Sequence, residues 1–525
     1  MSGSGVEVPT RQKRRFGLWI WVAIALAAVV LFYTVVLALN WPFTKQALIS
    51  TLQERSLRQV TIDRFHKTYF PPGCIAEGIR FLHIKHKERP PLLTIRKLVV
   101  RDSYPQLLLF RHSLSVVRVI GLHVIVPSRE PAGEPSPMMP LTYSNSATSL
   151  PIGVVFADGA LLEFQTRAPE KRPFRMSISR LALHDVGANT PITFDVTLNN
   201  SDLPGEIRSM GAWGPWNPKQ PGITPVHGEY VYRNANLAAF PVVSGTLNSQ
   251  GKFSGELSRI YARGTVRIAD FQVKDTSHRR QVSAAYRAVV DGTDGNVFLN
   301  QASAQFDHTT LVFNGSVAGE KAEPGKAVSL DVSSDGARIE DLIDLFIASP
   351  RPPMTGGIRL HGHIDLPPGS AALLERVKIE GAFGVDASKF TDRQTEQELA
   401  RLSVSAVKGD KEEDRENPQT VLSDVAGQVN ASGGVAHLSH VSFNVPGAKA
   451  LLSGTFSLMN YQTNLQGLLI TKGNVADATT GIKSLFVKVL TPFFKKKHRA
   501  KVVPFKITGP YGHTSIALNP GSKPR

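Results

Sequence analysis

The feature that most restricts the fold of this chain is a period-two alternation of apolar and polar residues. In ITFDVTLNN, the residues Ile192, Phe194, Val196 and Leu198 fall on one side of an extended segment. Successive strand side chains point to opposite faces, so such a segment predicts a strand with one apolar and one polar face. The spacing recurs at Ile358, Leu360, Ile364 and Leu366, at Val377, Ile379, Phe383 and Val385, at Val441, Phe443 and Val445, and at Leu452, Phe456 and Leu458.

The connections between these strands predict how they pair. Most are short and contain glycine, whereas parallel neighbours need crossovers of a dozen or more residues. Helical spacing is confined to a few short segments, including TKQALISTLQERS, RIEDLIDLFIASP, TDRQTEQELARLSVSAVKG and ATTGIKSLFVKVLTPFFKKKHR. The sequence therefore predicts a mainly β protein, a long antiparallel twisted sheet with a few short amphipathic helices.

One segment near the N-terminus differs from all the others. Residues Phe16 to Asn40 contain no charged side chain, and about twenty helical residues cross a hydrocarbon core. Arg11, Lys13, Arg14 and Arg15 precede this segment, whereas only Lys45 follows closely. The excess of positive charge before the helix predicts a single-pass anchor with a cytoplasmic N-terminus and an exported bulk.

The cysteine content and the net charge limit which environment and which partners are expected for the chain. The single cysteine, Cys74, excludes an internal disulfide, and we expect it to be a small buried apolar residue. The net charge of +17 favours an anionic partner. For an exported chain we expect lipid headgroups, and the sequence carries no nucleic-acid-binding motif.

The chain divides into seven predicted regions. Proline, serine and glycine are frequent between Pro127 and Pro151, which predicts a linker there. The regions are a cytoplasmic tail (1–15), a transmembrane anchor (16–40), an N-terminal α/β cap region (41–130), the linker (131–150), an antiparallel β region (151–475), a basic amphipathic helix (476–499) and terminal strands (500–525).

The passage VVSGTLNSQGKFSGELSRIYARGTVRIADFQV, from Val242 to Val273, resembles the repeat of the AsmA and TamB superfamily. Similar pieces follow in order, among them MTGGIRLHGHIDLPPG, VAGQVNASGGVAHLSHVSFNVPGAKALLSGTFSL and SLFVKVLTPFFKKK, and YFPPGCIAEGIRFLHI resembles the start of these proteins. The resemblance implies a sheet rolled into an open, taco-like groove, apolar inside and polar outside. It also implies an inner-membrane anchor, a periplasmic bulk, and a role in moving phospholipid toward the outer membrane.

The alternating apolar sets supply candidate groove residues. They are Leu247, Phe253, Val266, Ile268, Phe313, Ile358, Leu360, Ile379, Phe383, Phe443, Phe456 and Leu465. The alternative is that they form the ordinary core of a closed sandwich. The alternation shifts at Ala269 and Asp270, which predicts a β-bulge there.

The C-terminal helix is a candidate for contact with a membrane or partner. Its apolar stripe would enter an interface while its basic cluster meets anionic headgroups. The residues are Leu485, Phe486, Val489, Phe493, Lys495, Lys496, Lys497 and Arg499. The alternative is a helix that plugs one end of the sheet with its lysines in solvent.

Motifs of catalysis are not found in the sequence. His361 and His363 would share one strand face, but a third metal ligand is not evident. We found no nucleophile elbow, P-loop, zinc-protease motif or Rossmann fingerprint. We therefore expect no enzyme, metal or cofactor.

Two functions remain open. One is a conduit that shields phospholipid acyl chains between the two membranes. The other is an outer-membrane protein or surface-polymer assembly factor or scaffold that does not conduct lipid and uses its strand edges. Two dozen stacked strands would extend on the order of 110 Å, so a periplasmic or outer-membrane partner at the distal end is expected.

Overall fold

We analysed a computed structural model of the chain. It describes residues 13–39, 41–56, 58–83, 91–108, 114–126, 152–164, 174–186, 190–201, 203–215, 220–240, 243–273, 278–293, 295–319, 326–346, 352, 354–369, 371–391, 423–445, 448–471, 502–510 and 515–518. The predicted linker, nearly all of the helix predicted from Thr391 and the predicted basic helix lie outside these residues.

The described helices are few, and most are short. They are α1 (Lys13–Leu39), α2 (Lys45–Ser56), α3 (Tyr104–Leu108), α4 (Ile339–Phe346) and α5 (Leu373–Arg376), with 3-10 turns at Pro221–Ile223 and Leu237–Ala239. The helices expected from TKQALISTLQERS and RIEDLIDLFIASP are confirmed as α2 and α4. Among the described residues, no helix combines the length and the apolar character that crossing a membrane requires.

Strands make up most of the rest. They are β1 (Val60–Thr68), β2 (Gly73–Phe81), β3 (Leu93–Arg101), β4 (Leu114–Val126), β5 (Ile152–Phe164), β6 (Phe174–Val186), β7 (Ile192–Asn200), β8 (Glu206–Trp213), β9 (Pro225–Asn236), β10 (Val243–Ser244), β11 (Thr246–Glu256), β12 (Arg259–Val273), β13 (Arg280–Val290), β14 (Val297–Phe306), β15 (Thr309–Gly319), β16 (Lys326–Arg338), β17 (Met354–Leu366), β18 (Lys378–Phe390), β19 (Ser423–Ser432), β20 (Val435–Val445), β21 (Ala448–Ser457), β22 (Gln462–Thr471), β23 (Val502–Pro510) and β24 (Ser515–Leu518).

These strands form one long sheet that does not close into a barrel. Each strand pairs with the next along the chain, except that the two-residue β10 lies beside β12 and that β9 pairs directly with β11. The outermost strands are β1 and β24, and no pairing joins them among the described strands. The mainly β class is therefore confirmed.

The expectation of purely antiparallel pairing is wrong at one place. Strands β4 and β5 run parallel, with Val119 opposite Ala157. A parallel pair needs a long crossover, and residues 127–151, between these two strands, are enough to return the chain. The linker thus connects two neighbouring strands, and β1–β4 belong to the same sheet as the strands that follow.

The two faces of the sheet differ in exposure. In β11, Leu247, Ser249, Gly251, Phe253 and Gly255 are half-buried, while the residues between them are exposed. We call the less exposed face the inner face and the other the outer face. The bulge predicted at Ala269 and Asp270 is confirmed, because the register between β12 and β13 shifts between Ile268 and Phe271.

The N-terminal end of the sheet has a compact core. The inner face of β1–β4 is covered by Trp41, Phe43 and α2, whose Leu48, Ile49 and Leu52 pack against it. Leu98 is 5% exposed and Ala76 is fully buried. The inner face at this end of the sheet is therefore covered by the chain's own residues.

The C-terminal half has two further apolar clusters. One joins β20–β23 through residues such as Val441, Leu452 and Phe505. The other holds α4, whose Ile339 and Leu342 pack against Ala337, Ile358 and Val385.

Hydrogen bonds fix α4 to the end of β15. The buried Asp341 carboxylate accepts from the Thr309 hydroxyl and from the His308 backbone N–H, both at 2.9 Å. The carboxylate of Asp344 pairs with the Arg280 guanidinium of β13 at 2.8 Å. Helix α4 is therefore attached to strands on both sides of β14.

Candidate functional site

A single row of side chains crosses the inner face and takes one residue from each strand between β1 and β23 except β10. Every neighbouring pair in it is a register partner. We call it the floor row: Phe65, Ala76, Leu98, Val119, Ala157, Leu181, Val196, Ser209, Tyr230, Gly251, Gly264, Tyr286, Ala302, Phe313, Val332, Gly362, Gly381, Val429, Leu438, Gly454, Leu465 and Ile507.

The floor row contains no charged residue and no exposed residue. Its only side-chain polar atoms are the hydroxyls of Ser209, Tyr230 and Tyr286. Neighbouring strands lie about 4.8 Å apart, so the row follows the sheet for about 100 Å. Apart from these hydroxyls, the row is an apolar surface much longer than one strand could supply.

A second inner-face row runs beside the floor row. Leaving out its first member, Lys67, it holds small and apolar residues and one threonine across the same strands. Its members after Lys67 are Cys74, Val100, Val117, Val155, Leu183, Phe194, Gly211, Gly228, Phe253, Ala262, Ala288, Leu299, Gly315, Leu330, Ile364, Ile379, Ala431, Ala436, Phe456, Thr463 and Gly509. The apolar character is therefore a band and not a single line.

The outer face of the sheet carries charged side chains. Arg64, Glu77 and Lys97 stand opposite one another on β1, β2 and β3, one position away from the floor row. Farther along, Asp158 faces Arg180, and Arg208 pairs with Asp195 at 2.9 Å. Charged groups that stay in water avoid the desolvation that burial would impose. The sheet thus separates a wet face from an apolar one.

The inner face is not covered equally along its length. The three buried apolar clusters of the described residues include nothing from β6 to β15. In these strands, which we call the middle stretch, the floor-row side chains are half-buried. Its inner face spans about 40 Å at the usual strand spacing.

All twelve predicted groove residues lie on the inner face. Leu247, Phe253, Val266, Ile268 and Phe313 belong to the middle stretch. Ile358, Phe383, Phe443 and Leu465 pack in the C-terminal clusters. The remaining three, Leu360, Ile379 and Phe456, lie on the inner face beside those clusters. The structure therefore divides one predicted set into a part outside the apolar clusters, of which only Ile268 is buried, and a packed part.

Sequence reasoning missed the hydroxyl-bearing members of the inner face. Tyr230, Ser249 and Tyr286 lie inside, where the tyrosine rings are half-buried. Burial and a hydrogen bond with Tyr230 raise the pKa of Tyr286, and burial raises the pKa of Tyr232. The phenols of Tyr286 and Tyr232 are therefore neutral at physiological pH. The spacing of Tyr230 and Tyr232 puts both on one face of β9, but the sequence does not show which face that is.

On the outer face of the middle stretch, like charges stand in line. Lys252, Arg263 and Arg287 are direct register partners on β11, β12 and β13. Glu229 approaches the Lys252 ammonium at 3.9 Å, and no described acidic group pairs with either arginine. Shallow depressions of about 780 and 850 Å³ flank this row. Directly opposed like charges destabilise a sheet.

The other polar candidates take structural positions. His361 and His363 share the outer face, as their spacing predicts. His363 Nδ1 lies 2.7 Å from Asp331, and this contact, with one to Asp365, raises the pKa of His363. Cys74 is buried, and burial raises the pKa of its thiol to about 11. No group of three metal-ligating side chains occurs within the described part of the chain.

The predicted membrane or partner contacts, Leu485 to Arg499, lie outside the described residues. Comparison with protein-family models and with curated protein sequences finds no match.

Proposed function

We propose that this protein is a membrane-anchored lipid-transfer protein of a bacterial envelope, in which phospholipid acyl chains lie on the inner face of the long sheet. In this proposal the sheet curls into an open groove, with the headgroup in water at its mouth. The bulk lies in the periplasm, and no chemical step or cofactor takes part.

The observation that carries the proposal is the floor row with its uncovered middle stretch. A sheet that is apolar on one face normally covers that face with another layer. Here α2 covers the N-terminal end, and α4 packs against β16 to β18 and is tied to the ends of β13 and β15, while the apolar clusters of the described residues include nothing from β6 to β15. Acyl chains are an apolar material that fits a continuous band of this kind.

The free energies favour such a carrier. Exposing a sixteen-carbon chain to water costs on the order of 12 kcal/mol at about 0.8 kcal/mol per methylene. A surface that keeps the chain out of water removes most of that barrier. A charged residue anywhere along the path would oppose the passage of the chain, and the floor row has none.

The proposed anchor is the segment from Phe16 to Asn40. Its lack of charge and the basic residues before it support a single crossing of the inner membrane. Large apolar side chains of α1 are exposed, with Trp21 at 72% and Leu31 at 66%. The anchor would hold the compact N-terminal end beside a lipid source. Phospholipid and the inner membrane are the proposed partners, with a further protein at the distal end.

The test is lipid capture by the full chain, purified in mild detergent with bound lipid measured by mass spectrometry. Phe313→Asp places a charge in the floor row, and we expect it to reduce bound phospholipid at least fivefold. Val312→Asp, one residue along on the outer face, is the matched control and should keep the wild-type amount.

Absence of phospholipid from the wild-type protein, while a known lipid carrier prepared in parallel retains it, would refute the proposal. Equal lipid loading of the two aspartate variants would refute the assignment to the inner face. The first result would leave a scaffold without lipid conduction as the better explanation.

A further inference from the structure

One position in the middle stretch interrupts the apolar band with polar atoms. Tyr230 of β9 and Tyr286 of β13 belong to the floor row, and Ser249 lies beside them on β11. The Tyr230 hydroxyl lies 2.8 Å from the Ser249 hydroxyl and also forms a hydrogen bond with the Tyr286 hydroxyl. We call these three groups the hydroxyl trio.

Two glycines allow the trio to form. Gly251 and Gly264 stand between the two tyrosines in the floor row. A Cβ on Gly251 would lie 2.8 Å from Tyr230 Cε1, and a Cβ on Gly264 would lie 2.8 Å from the Tyr286 hydroxyl oxygen. Because contacts that short do not occur, only glycine lets the rings lie across the sheet and meet. The arrangement depends on five residues from four strands, β9, β11, β12 and β13.

Counting hydrogen bonds shows that the trio is incomplete. Each hydroxyl has one donor hydrogen and two acceptor lone pairs. Two hydrogen bonds join the three oxygens, so two of the three hydrogens are used. The Ser249 hydroxyl also interacts with the Tyr286 hydroxyl and lowers its pKa, but only the two contacts of Tyr230 have the geometry of a well-formed hydrogen bond. One O–H hydrogen therefore has no well-formed acceptor among the described residues and can turn toward a ligand, on a face that is largely apolar. Water can satisfy it only until an apolar ligand displaces that water.

The positions of the charged residues indicate which chemical group of a ligand the trio binds. The basic residues nearest in sequence, Lys252, Arg263 and Arg287, belong to the outer face. The donor is neutral, since burial keeps the pKa of Tyr286 high. A phosphate would favour cations, whereas a carbonyl oxygen needs only one neutral donor. In a diacyl lipid such carbonyls stand where the acyl chains begin.

We propose that the hydroxyl trio binds an ester carbonyl of a lipid whose acyl chains lie on the floor row. This proposal rests on the proposed function and adds a preference for ester-linked over ether-linked lipid. The trio thereby binds the carbonyl end of an acyl chain at one defined position along the groove.

The experiment offers the full chain in detergent an equimolar mixture of dipalmitoyl phosphatidylglycerol and its di-O-hexadecyl ether analogue. Bound lipids are then quantified by mass spectrometry. One neutral hydrogen bond predicts an ester-to-ether ratio of about three to ten. The triple variant Tyr230→Phe/Ser249→Ala/Tyr286→Phe keeps both rings and removes all three oxygens, so the ratio should fall to one while total bound lipid stays unchanged.

The matched control is Ser254→Ala/Tyr261→Phe, which removes two hydroxyls from register partners on the outer face. It should keep the wild-type ratio. A ratio of one for wild type with lipid bound, or an unchanged ratio in the triple variant, overturns the inference and leaves the proposed function standing. Failure of wild type to bind either lipid overturns both. If the triple variant does not fold, Tyr230→Phe/Tyr286→Phe is measured instead, and the ratio should still fall at least twofold.

Discussion

The N-terminal end and the middle stretch carry the same apolar band but cover it differently. In β1–β4 the floor-row residues Ala76 and Leu98 are buried beneath α2 and Trp41. In β6–β15 the equivalent positions Leu181 and Val196 are half-buried. The contrast shows that an apolar strand face does not by itself define a core. What lies over it decides whether it stabilises the fold or remains available to a ligand.

The largest expected effect comes from placing one charge in each region. Leu98→Asp buries a carboxylate without a partner, and we expect it to lower the free energy of unfolding by more than about 4 kcal/mol. Leu181→Asp should lower it by only about 1–2 kcal/mol, because a half-buried carboxylate keeps some water. Urea denaturation followed by circular dichroism measures both. Equal losses would mean that the middle stretch is packed as tightly as the N-terminal end.

Thiol reaction rates compare how well the two regions are covered, without introducing a charged side chain. At pH 8 a thiol with the pKa of about 11 held by Cys74 is about 0.1% ionised, and its burial also blocks the reagent. A cysteine placed by Val196→Cys in a Cys74→Ala background should react with a disulfide reagent at least about a hundredfold faster. The rate at Cys74 should rise with pH up to about 11, since burial disfavours the thiolate. Comparable rates at pH 8 would contradict the assigned difference in cover.

The attachment of α4 is the next contrast, because this helix marks where the middle stretch meets the packed C-terminal half. Asp341→Ala leaves the His308 N–H without its acceptor and leaves the Thr309 hydroxyl only the Arg338 carbonyl at 3.4 Å. We expect a loss of about 1–3 kcal/mol in the free energy of unfolding. Asp335→Ala removes an exposed carboxylate from β16 and should change it by less than about 0.5 kcal/mol. Chemical denaturation measures the free energy of unfolding of both variants. Equal and small changes would show that these hydrogen bonds do not hold α4 in place.

The smallest effect concerns the outer face of the middle stretch. Arg263→Thr removes the central charge of the Lys252, Arg263 and Arg287 row and supplies a good strand former. We expect stability to rise by about 0.2–1 kcal/mol at low salt. The gain should shrink at 1 M salt, where exposed charges are screened. A loss of stability at low salt would show that the arginine makes a favourable contact.

Local sequence patterns predicted much of the secondary structure. The alternation in ITFDVTLNN predicted β7, helical spacing predicted α2 and α4, and the shift at Ala269 and Asp270 predicted the bulge in β12. Each depends on residues close together in the chain, where the strand or helix period is directly visible. The inner-face location of the twelve candidate residues follows from the same period.

The floor row itself could not be predicted, because it depends on the register between strands that are far apart in sequence. Gly251, Gly264 and Gly381 have no side chain to mark a face, and Tyr230 and Tyr286 read as residues of either face. The parallel pairing of β4 and β5 was missed for a similar reason. A linker rich in proline and serine does not reveal which strand it returns to.

Site-specific photo-crosslinking can show whether phospholipid lies on the inner face of the middle stretch. A photoreactive phenylalanine analogue is placed at Val196 on the inner face, at Thr197 on the outer face, or at Leu98 beneath α2, and each full chain is irradiated with radiolabelled phospholipid in detergent. If acyl chains lie on the inner face, labelling at Val196 should be at least tenfold above that at Thr197 and Leu98. Equal labelling at Val196 and Thr197 would contradict a lipid path along the inner face.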